Sequence, residues 1–337
     1  MRTIVWGNYK GGVGKTTSTY HVALFFASYG KKVLLLDLDP QCSLSHICCN
    51  GVRSFMHEDI SLESFDADKT FNYLLDIYTR LIRKNNDIDL ELLKKDTYDT
   101  GLDGIVDSCI KKIKDGVCFI PSSISFNGCR INDMARKMEK FPQSIFLMKL
   151  LINDIAIREQ FDYVFIDCPP TNNQLIESAF LSSDYYIVPT IIDEISANGV
   201  PDYISQIEKT YYKYDSTDEI GSILMNKVFM HKTKLIGVVE TLYKERRGNL
   251  DNTDQVISLN SNIKSLQIES LLSQEQNKDY RLYHYTEHIF RNFIPHRDNR
   301  TTGESVPART SQGTIANTYC NVAKDIYDVL NLSLIHI

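Results

Sequence analysis

Lys10-Gly11-Gly12-Val13-Gly14-Lys15-Thr16-Thr17 is the stretch whose reading decides the fold. Glycines leave a backbone free to curl its N–H groups around an anion. A lysine directly after the last glycine reaches terminal phosphates, and the hydroxyl after it ligates Mg²⁺. The apolar run Thr3-Ile4-Val5-Trp6 just before reads as a buried strand over residues 2–7, and Thr16 to Tyr29 reads as a helix closed by Gly30. Phosphates held between them meet a helix N-terminus, where the dipole favours negative charge. The ordinary pattern places glycine five residues before Gly14, where this chain has Tyr9 and then a Lys-Gly-Gly opening. The expectation is a nucleotide phosphate site made by Gly11, Gly12, Val13, Gly14, Lys15, Thr16 and Thr17, in a deviant form marked by Lys10.

Two more strands point to the same place. Residues 32–38 are an apolar run ending in Asp37 and Asp39, and residues 162–167 are another, ending in Asp167 and running into Cys168-Pro169-Pro170. Continuous apolar runs suit parallel strands buried on both faces, and in such sheets ligands collect at the carboxyl ends of the strands. Asp167 there has the form of a Walker B carboxylate, which holds Mg²⁺. A single strand-end aspartate is more often a helix cap, but three on strands that also carry a phosphate loop form a site. Tyr185-Tyr186-Ile187-Val188-Pro189 reads as a further core strand, and Val117-Cys118-Phe119-Ile120 as a strand leading to the Pro121-Ser122 turn. The fold expected is a doubly wound α/β domain with a mostly parallel sheet flanked by helices.

The order of these three motifs resembles the ParA/MinD family of deviant Walker A ATPases, densely over residues 2–47 and 160–205, and Asp37-Leu38-Asp39-Pro40-Gln41 is closer in form to the ParA-type partition proteins. The resemblance implies ATP and Mg²⁺ as cofactors. It makes Lys10 the signature lysine that crosses to the partner subunit's phosphates, Lys15 the P-loop lysine and Thr16 the magnesium ligand. Asp39 matches the switch-I aspartate that positions the attacking water, Asp37 lies near the magnesium shell, and Asp167 is the Walker B aspartate. Asn226, at the end of an expected strand Ile223-Leu224-Met225-Asn226, and Pro295 match adenine-contacting positions. Lys232, with Lys234 beside it, lies where relatives carry a DNA-contacting arginine, and Arg297 and Arg300 fall near a second such position. The implied function is a slow, partner-stimulated ATPase. It dimerises with ATP, binds double-stranded DNA without sequence choice, and acts with a ParB-like protein in plasmid or chromosome partition. The alternatives are a MinD-like or protein-recruited positioning ATPase without DNA binding, and a nucleotide-binding scaffold with little hydrolysis. Intact Lys10, Lys15, Asp39 and Asp167 argue against the scaffold.

Composition bounds the rest. The chain has 337 residues, 43% apolar content and a net charge of −6. Such a length supports one P-loop domain over 1–337, with a helical insertion at 51–116 and a second insertion at 245–290. In the first, Phe71, Leu74, Leu75, Tyr78 and Ile82 recur at helical spacing, a stripe that packs on the parent domain or presents a surface to a partner protein. In the second, Asn249 to Asn262 shows no period and reads as a loop, while Tyr280, Tyr283, Tyr285, His284 and His288 read as packing residues rather than a metal site. Eight cysteines without C-x-x-C spacing suit a reduced, cytoplasmic protein, nucleoid-associated if it binds DNA. The acidic balance gives DNA binding no global support, so that expectation rests on the local cluster Lys227, Lys232, Lys234, Lys244, Arg246 and Arg247. No membrane contact is expected, because the apolar tail after Val329 carries no cation and no apolar run reaches spanning length.

Overall fold

Among the described residues, eight strands join in one sheet in the order β3-β4-β2-β5-β1-β6-β7-β8. They are β1 (Arg2–Trp6), β2 (Val33–Asp37), β3 (Lys111–Lys114), β4 (Val117–Ile120), β5 (Tyr163–Asp167), β6 (Tyr185–Thr190), β7 (Lys234–Tyr243) and β8 (Ile294–Pro295). Every pairing is parallel except β3 with β4 at one edge. The structure is a computed structural model that describes residues 1–84, 102–128, 130–157, 160–216, 221–229, 231–243, 253–274, 287–295 and 314–332.

Helices cover both faces, which is why the central strands are aliphatic throughout. Alternate side chains enter opposite cores. Val5, Leu34, Leu36, Val164, Ile166 and Val188 face one, while Ile4, Trp6, Val33, Leu35, Phe165 and Ile187 face the other. The second core is closed by α1 (Lys15–Ser28), α2 (Ser43–Met56) and, at the far end of the chain, α11 (Thr314–Leu332). The first is closed by α3 (Phe71–Lys84), α4 (Asp103–Cys109), α5 (Ile131–Met138), α6 (Leu147–Ile157), α7 (Gln174–Leu181), α8 (Glu194–Asp215), α9 (Gly221–Val228) and α10 (Thr253–Ser265). The stripe Phe71, Leu74, Leu75, Tyr78 and Ile82 lies in this core, each residue at most 7% exposed. This face of α3 is therefore packed on the parent domain. Among the described residues no helix is long and apolar enough to cross a membrane.

Two local expectations are corrected. Residues 223–226 lie in helix α9, so Asn226 does not end a strand. The strand is β7, carried by Leu235-Ile236-Gly237-Val238-Val239, a run whose apolar continuity is the available signal. Most of the stretch Asn249 to Asn262, expected as loop, is α10, whose Val256, Leu259 and Ile263 are buried while Ile257 stands exposed among polar residues. These three stand at i, i+3 and i+7, the spacing of a helix face, a signal diluted by the polar residues around them.

Parallel pairing sets the carboxyl ends of β1, β5 and β2 level with one another. Trp6 pairs with Asp167, and Asp167 with Asp37. The sheet continues from β1 through β6 on the other side, so the turn after β1 opens at a topological switch point.

Candidate nucleotide site

The loop between β1 and α1 is shaped by its glycines and braced by neighbours. Gly12 and Gly14 have φ of 70° and 75°, backbone that side-chain-bearing residues rarely adopt, and Gly14 caps α1. A Cβ at Gly7 would lie 2.0 Å from the Tyr203 hydroxyl, so only glycine passes there. Tyr9, standing where the ordinary motif has glycine, packs its ring edge-on against Tyr203 at 4.6 Å. Buried Asn8 donates to the Pro189 carbonyl at 2.9 Å and accepts from the Lys10 amide at 3.0 Å. Thr241 Oγ1, at the carboxyl end of β7, donates to the Val13 carbonyl at 2.6 Å. The opposite side of the loop is open: a Cβ built on Gly11 or Gly12 meets nothing within 4 Å. The result is a rigid cradle with one free face.

Behind the cradle lies a buried acidic pair with one cation. Thr16 Oγ1 donates to Asp167 Oδ2 at 2.6 Å. Asp37 accepts from the Ser45 amide and hydroxyl at 2.8 and 3.0 Å and from the Asp39 amide at 3.0 Å. Burial pushes the Asp37 carboxyl up to about 7 against these donors. Burial and the neighbouring Asp37 charge likewise push Asp167 well above the carboxylate range. Lys15 is buried, its Nζ donating to the Lys10 carbonyl at 3.0 Å, and burial lowers its pKa while Asp167, Asp39 and Cys168 oppose that fall. Asp39 is half-buried at the rim and accepts from the Gln41 amide at 2.8 Å.

These residues fit a divalent cation. Asp167 Oδ1 is buried without a hydrogen-bond partner, and its other oxygen already meets the Thr16 hydroxyl. Hard cations take such oxygen donors, and two carboxylates whose ionisation is opposed first by burial are relieved by positive charge. Thr16, Asp167 and, through the outer shell, Asp37 are the residues that would hold Mg²⁺. The open glycine face would take the nucleotide phosphates it neutralises.

Lys10 occupies a position of its own. Its Nζ forms an ion pair with Asp193 Oδ2, in the turn after β6. Asp193 also caps α8 through Oδ1, which accepts from the Ser196 amide at 2.8 Å. Burial alone would raise Asp193, yet the hydrogen bonds from Lys10 and Ser196 hold its carboxyl below the ordinary value.

The remaining expected residues are not gathered here. Asn226 lies on α9, before β7 begins, and its Oδ1 accepts from the Tyr211 hydroxyl at 2.8 Å. That is the opposite end of the sheet from the phosphate loop. Lys232 and Lys234 share that end: Lys234 is the first residue of β7, and Lys232 is bound to Glu208 at 2.5 Å and lies over the Tyr212 ring. Pro295 is in β8, paired with Tyr243 at the end of β7 that is nearer the loop. Arg297 and Arg300 lie outside the described residues, as do Lys244, Arg246, Arg247, Tyr280, Tyr283, His284 and Tyr285. His288 is buried against Ser270, and among the described residues no group of three or more His, Cys, Asp or Glu side chains is placed to hold a metal ion. Sequence reading misses Asn8, Ser45, Asp193 and Thr241. Each is a polar residue with no local pattern, placed by contacts across the sheet or between its turns.

Comparison with known proteins agrees with the geometry. Residues 1–220 match the family model AAA_31, described as an AAA domain. The chain is 25% identical over 247 residues to the sporulation initiation inhibitor protein Soj of Bacillus subtilis, covering 73% of this chain and 80% of Soj. Relatives in Mycobacterium tuberculosis, themselves uncharacterized, are 25% identical over 229 residues, a match that spans 58% of their length. Among solved structures, a variant of Cyanothece McdA in complex with ATP superposes with a TM-score of 0.58 at 15% identity over 99% of this chain and 96% of that one. A cobyrinic acid a,c-diamide synthase from Mycobacterium smegmatis, with bound ATP analogue and magnesium, gives 0.55 at 17% over 98% and 96%. These two likenesses show the fold alone. The family model covers most of the chain, and with the motifs at one strand end it shows that this protein belongs to the AAA_31 family, among the ParA-type deviant Walker A P-loop ATPases.

Proposed function

We propose that the protein is an ATP-driven dimerising switch of the ParA type, which as an ATP dimer binds DNA nonspecifically and releases it on hydrolysis. The observation that carries this reading is the convergence of Lys10, Lys15, Asp39 and Asp167 at the carboxyl ends of β1, β2 and β5. Phosphoryl transfer to water is mostly positioning and charge stabilisation. Lys15 supplies a cation desolvated before the substrate arrives. Bound Mg²⁺ would add neutralisation of the β- and γ-phosphates. Lys10 precedes the open Gly11-Gly12 backbone, and its side chain, once it leaves Asp193, would be the cation to reach a second copy's phosphates. Asp39 is the remaining rim carboxylate able to accept a hydrogen bond from the attacking water. A cation delivered in trans raises such rates by several orders of magnitude, so the fast state is the dimer.

A ParB-like partner fits as the trigger of hydrolysis, with a plasmid or chromosome as cargo. The pairing of Lys232 with Glu208 removes one cation from the expected DNA surface, which favours the protein-recruited positioning ATPase as the second reading. The two are separated by titrating the Asp39→Ala protein with random-sequence duplex DNA across a salt series, with ATP, with ADP and without nucleotide. ATP-dependent binding that weakens steeply with salt supports the partition switch. An ATP dimer that ignores DNA selects the second reading.

A further inference from the structure

We propose that Asp193 is the positioning residue of Lys10: it holds the lysine on its own subunit and so sets the threshold for assembly with a second copy. This rests on the ATP-dependent dimer proposed above. Both partners are anchored at the backbone. Asn8 fixes the Lys10 amide, and the helix cap fixes Asp193. The carboxylate divides its work, Oδ1 to the Ser196 amide and Oδ2 to the Lys10 ammonium. Its place at the N-terminus of α8 adds the favourable end of a helix dipole, so the anion stays charged and in place whether or not Lys10 is there.

The ion pair is open to exchange. The Lys10 and Asp193 side chains are 31% and 38% exposed. Ile195, in the first turn of α8, is 72% exposed, an apolar side chain left uncovered beside the pair. A lysine that is to reach another subunit's phosphates must first leave Asp193, and each dimer breaks two such pairs. An exposed ion pair shifts an equilibrium by about two- to fivefold, so two of them shift the dimer constant by about four- to twenty-fivefold.

The test uses Asp193→Asn, because asparagine caps helices as well as aspartate does and only the charge is lost. In the Asp39→Ala background, which removes turnover, sedimentation with ATP measures the dimer constant with and without Asp193→Asn. The expected result is a dimer tighter by about four- to twenty-fivefold. A urea double-mutant cycle of Lys10→Met and Asp193→Asn on nucleotide-free protein is expected to show favourable coupling, a readout that a purely capping role would not produce. A dimer constant that is unmoved or weakened by Asp193→Asn, or a cycle without coupling, overturns the latch and leaves the dimer reading intact. If every variant stays monomeric with ATP, the dimer reading fails and the assembly threshold fails with it.

Discussion

Thr16 Oγ1 donates a 2.6 Å hydrogen bond to Asp167 Oδ2 across 151 residues of sequence, closing the first turn of α1 onto the end of β5. The same carboxylate's other oxygen is buried and unpartnered. A metal ion held by Asp167 and Thr16 would give this acceptor a partner, which would lend binding of nucleotide and Mg²⁺ a local driving force. Asp167→Asn should therefore lower ATP affinity in Mg²⁺ by at least about tenfold, ~1.4 kcal/mol, and leave affinity in EDTA nearly unchanged. Calorimetric titration under the two conditions measures this. Equal losses in both would show that Asp167 does not act through the metal.

Lys15 is the lysine whose charge partly relieves the raised Asp167 carboxyl, and that carboxylate in turn opposes the fall in the Lys15 pKa. Lys15→Ala should reduce nucleotide affinity by about a hundredfold, close to the upper range for a charge-assisted hydrogen bond to phosphate. Titration with a fluorescent ATP analogue reads the change. A loss under threefold would place the phosphates elsewhere.

The site is legible in the sequence where function sits on contiguous backbone. The glycine turn, Lys15, Thr16 and the strand-end carboxylates announce themselves because a cradle and a buried parallel strand each need a particular local pattern. The braces do not. Asn8 finds Pro189, and Thr241 finds Val13, only when β6 and β7 are in place beside β1. Asn226 is misplaced by sequence for a related reason: Ile223-Leu224-Met225 is a short apolar run that suits a strand or a buried helix equally, and the packing of α9 against α8 decides it. The true strand lies in Leu235 to Val239, where Gly237 interrupts the apolar run because Phe290 and the His288 carbonyl approach within 3.0 and 3.3 Å of a Cβ there.

Helix α3 behaves as core. Leu74 is fully buried, with Phe71, Leu75 and Tyr78, beside Ile145, Phe146 and Leu151. Leu74→Ala should destabilise by about 2–5 kcal/mol through lost burial and the cavity left behind. Urea unfolding gives the value. A cost below about 0.5 kcal/mol, the usual range for a surface substitution, would mean that α3 unfolds independently of the sheet.

Asp325 on α11 makes stability depend on pH. Burial pushes its carboxyl up to about 7, although Asn292 Nδ2 donates to it at 2.6 Å. Between the unfolded value of 3.8 and about 7, the unfolded chain has released this proton and the folded chain still holds it. Stability from this group is thus complete below the unfolded value and is lost as pH rises toward the folded one. Asp325→Asn should raise the urea midpoint at pH 8 more than at pH 5, by an amount worth a few kcal/mol at most. An equal change at both pH values would show that Asp325 does not titrate across this range.

In the proposed switch, ATP joins two copies through the face that carries Lys10. Sedimentation velocity of the Asp39→Ala protein with Mg²⁺ and ATP, ADP or no nucleotide tests it most directly. A dimer with ATP and a monomer in the other two states are expected, and a monomer in all three once Lys10→Ala is added. A species whose mass is the same in every nucleotide state, or an ATP dimer that survives the loss of Lys10, would contradict it.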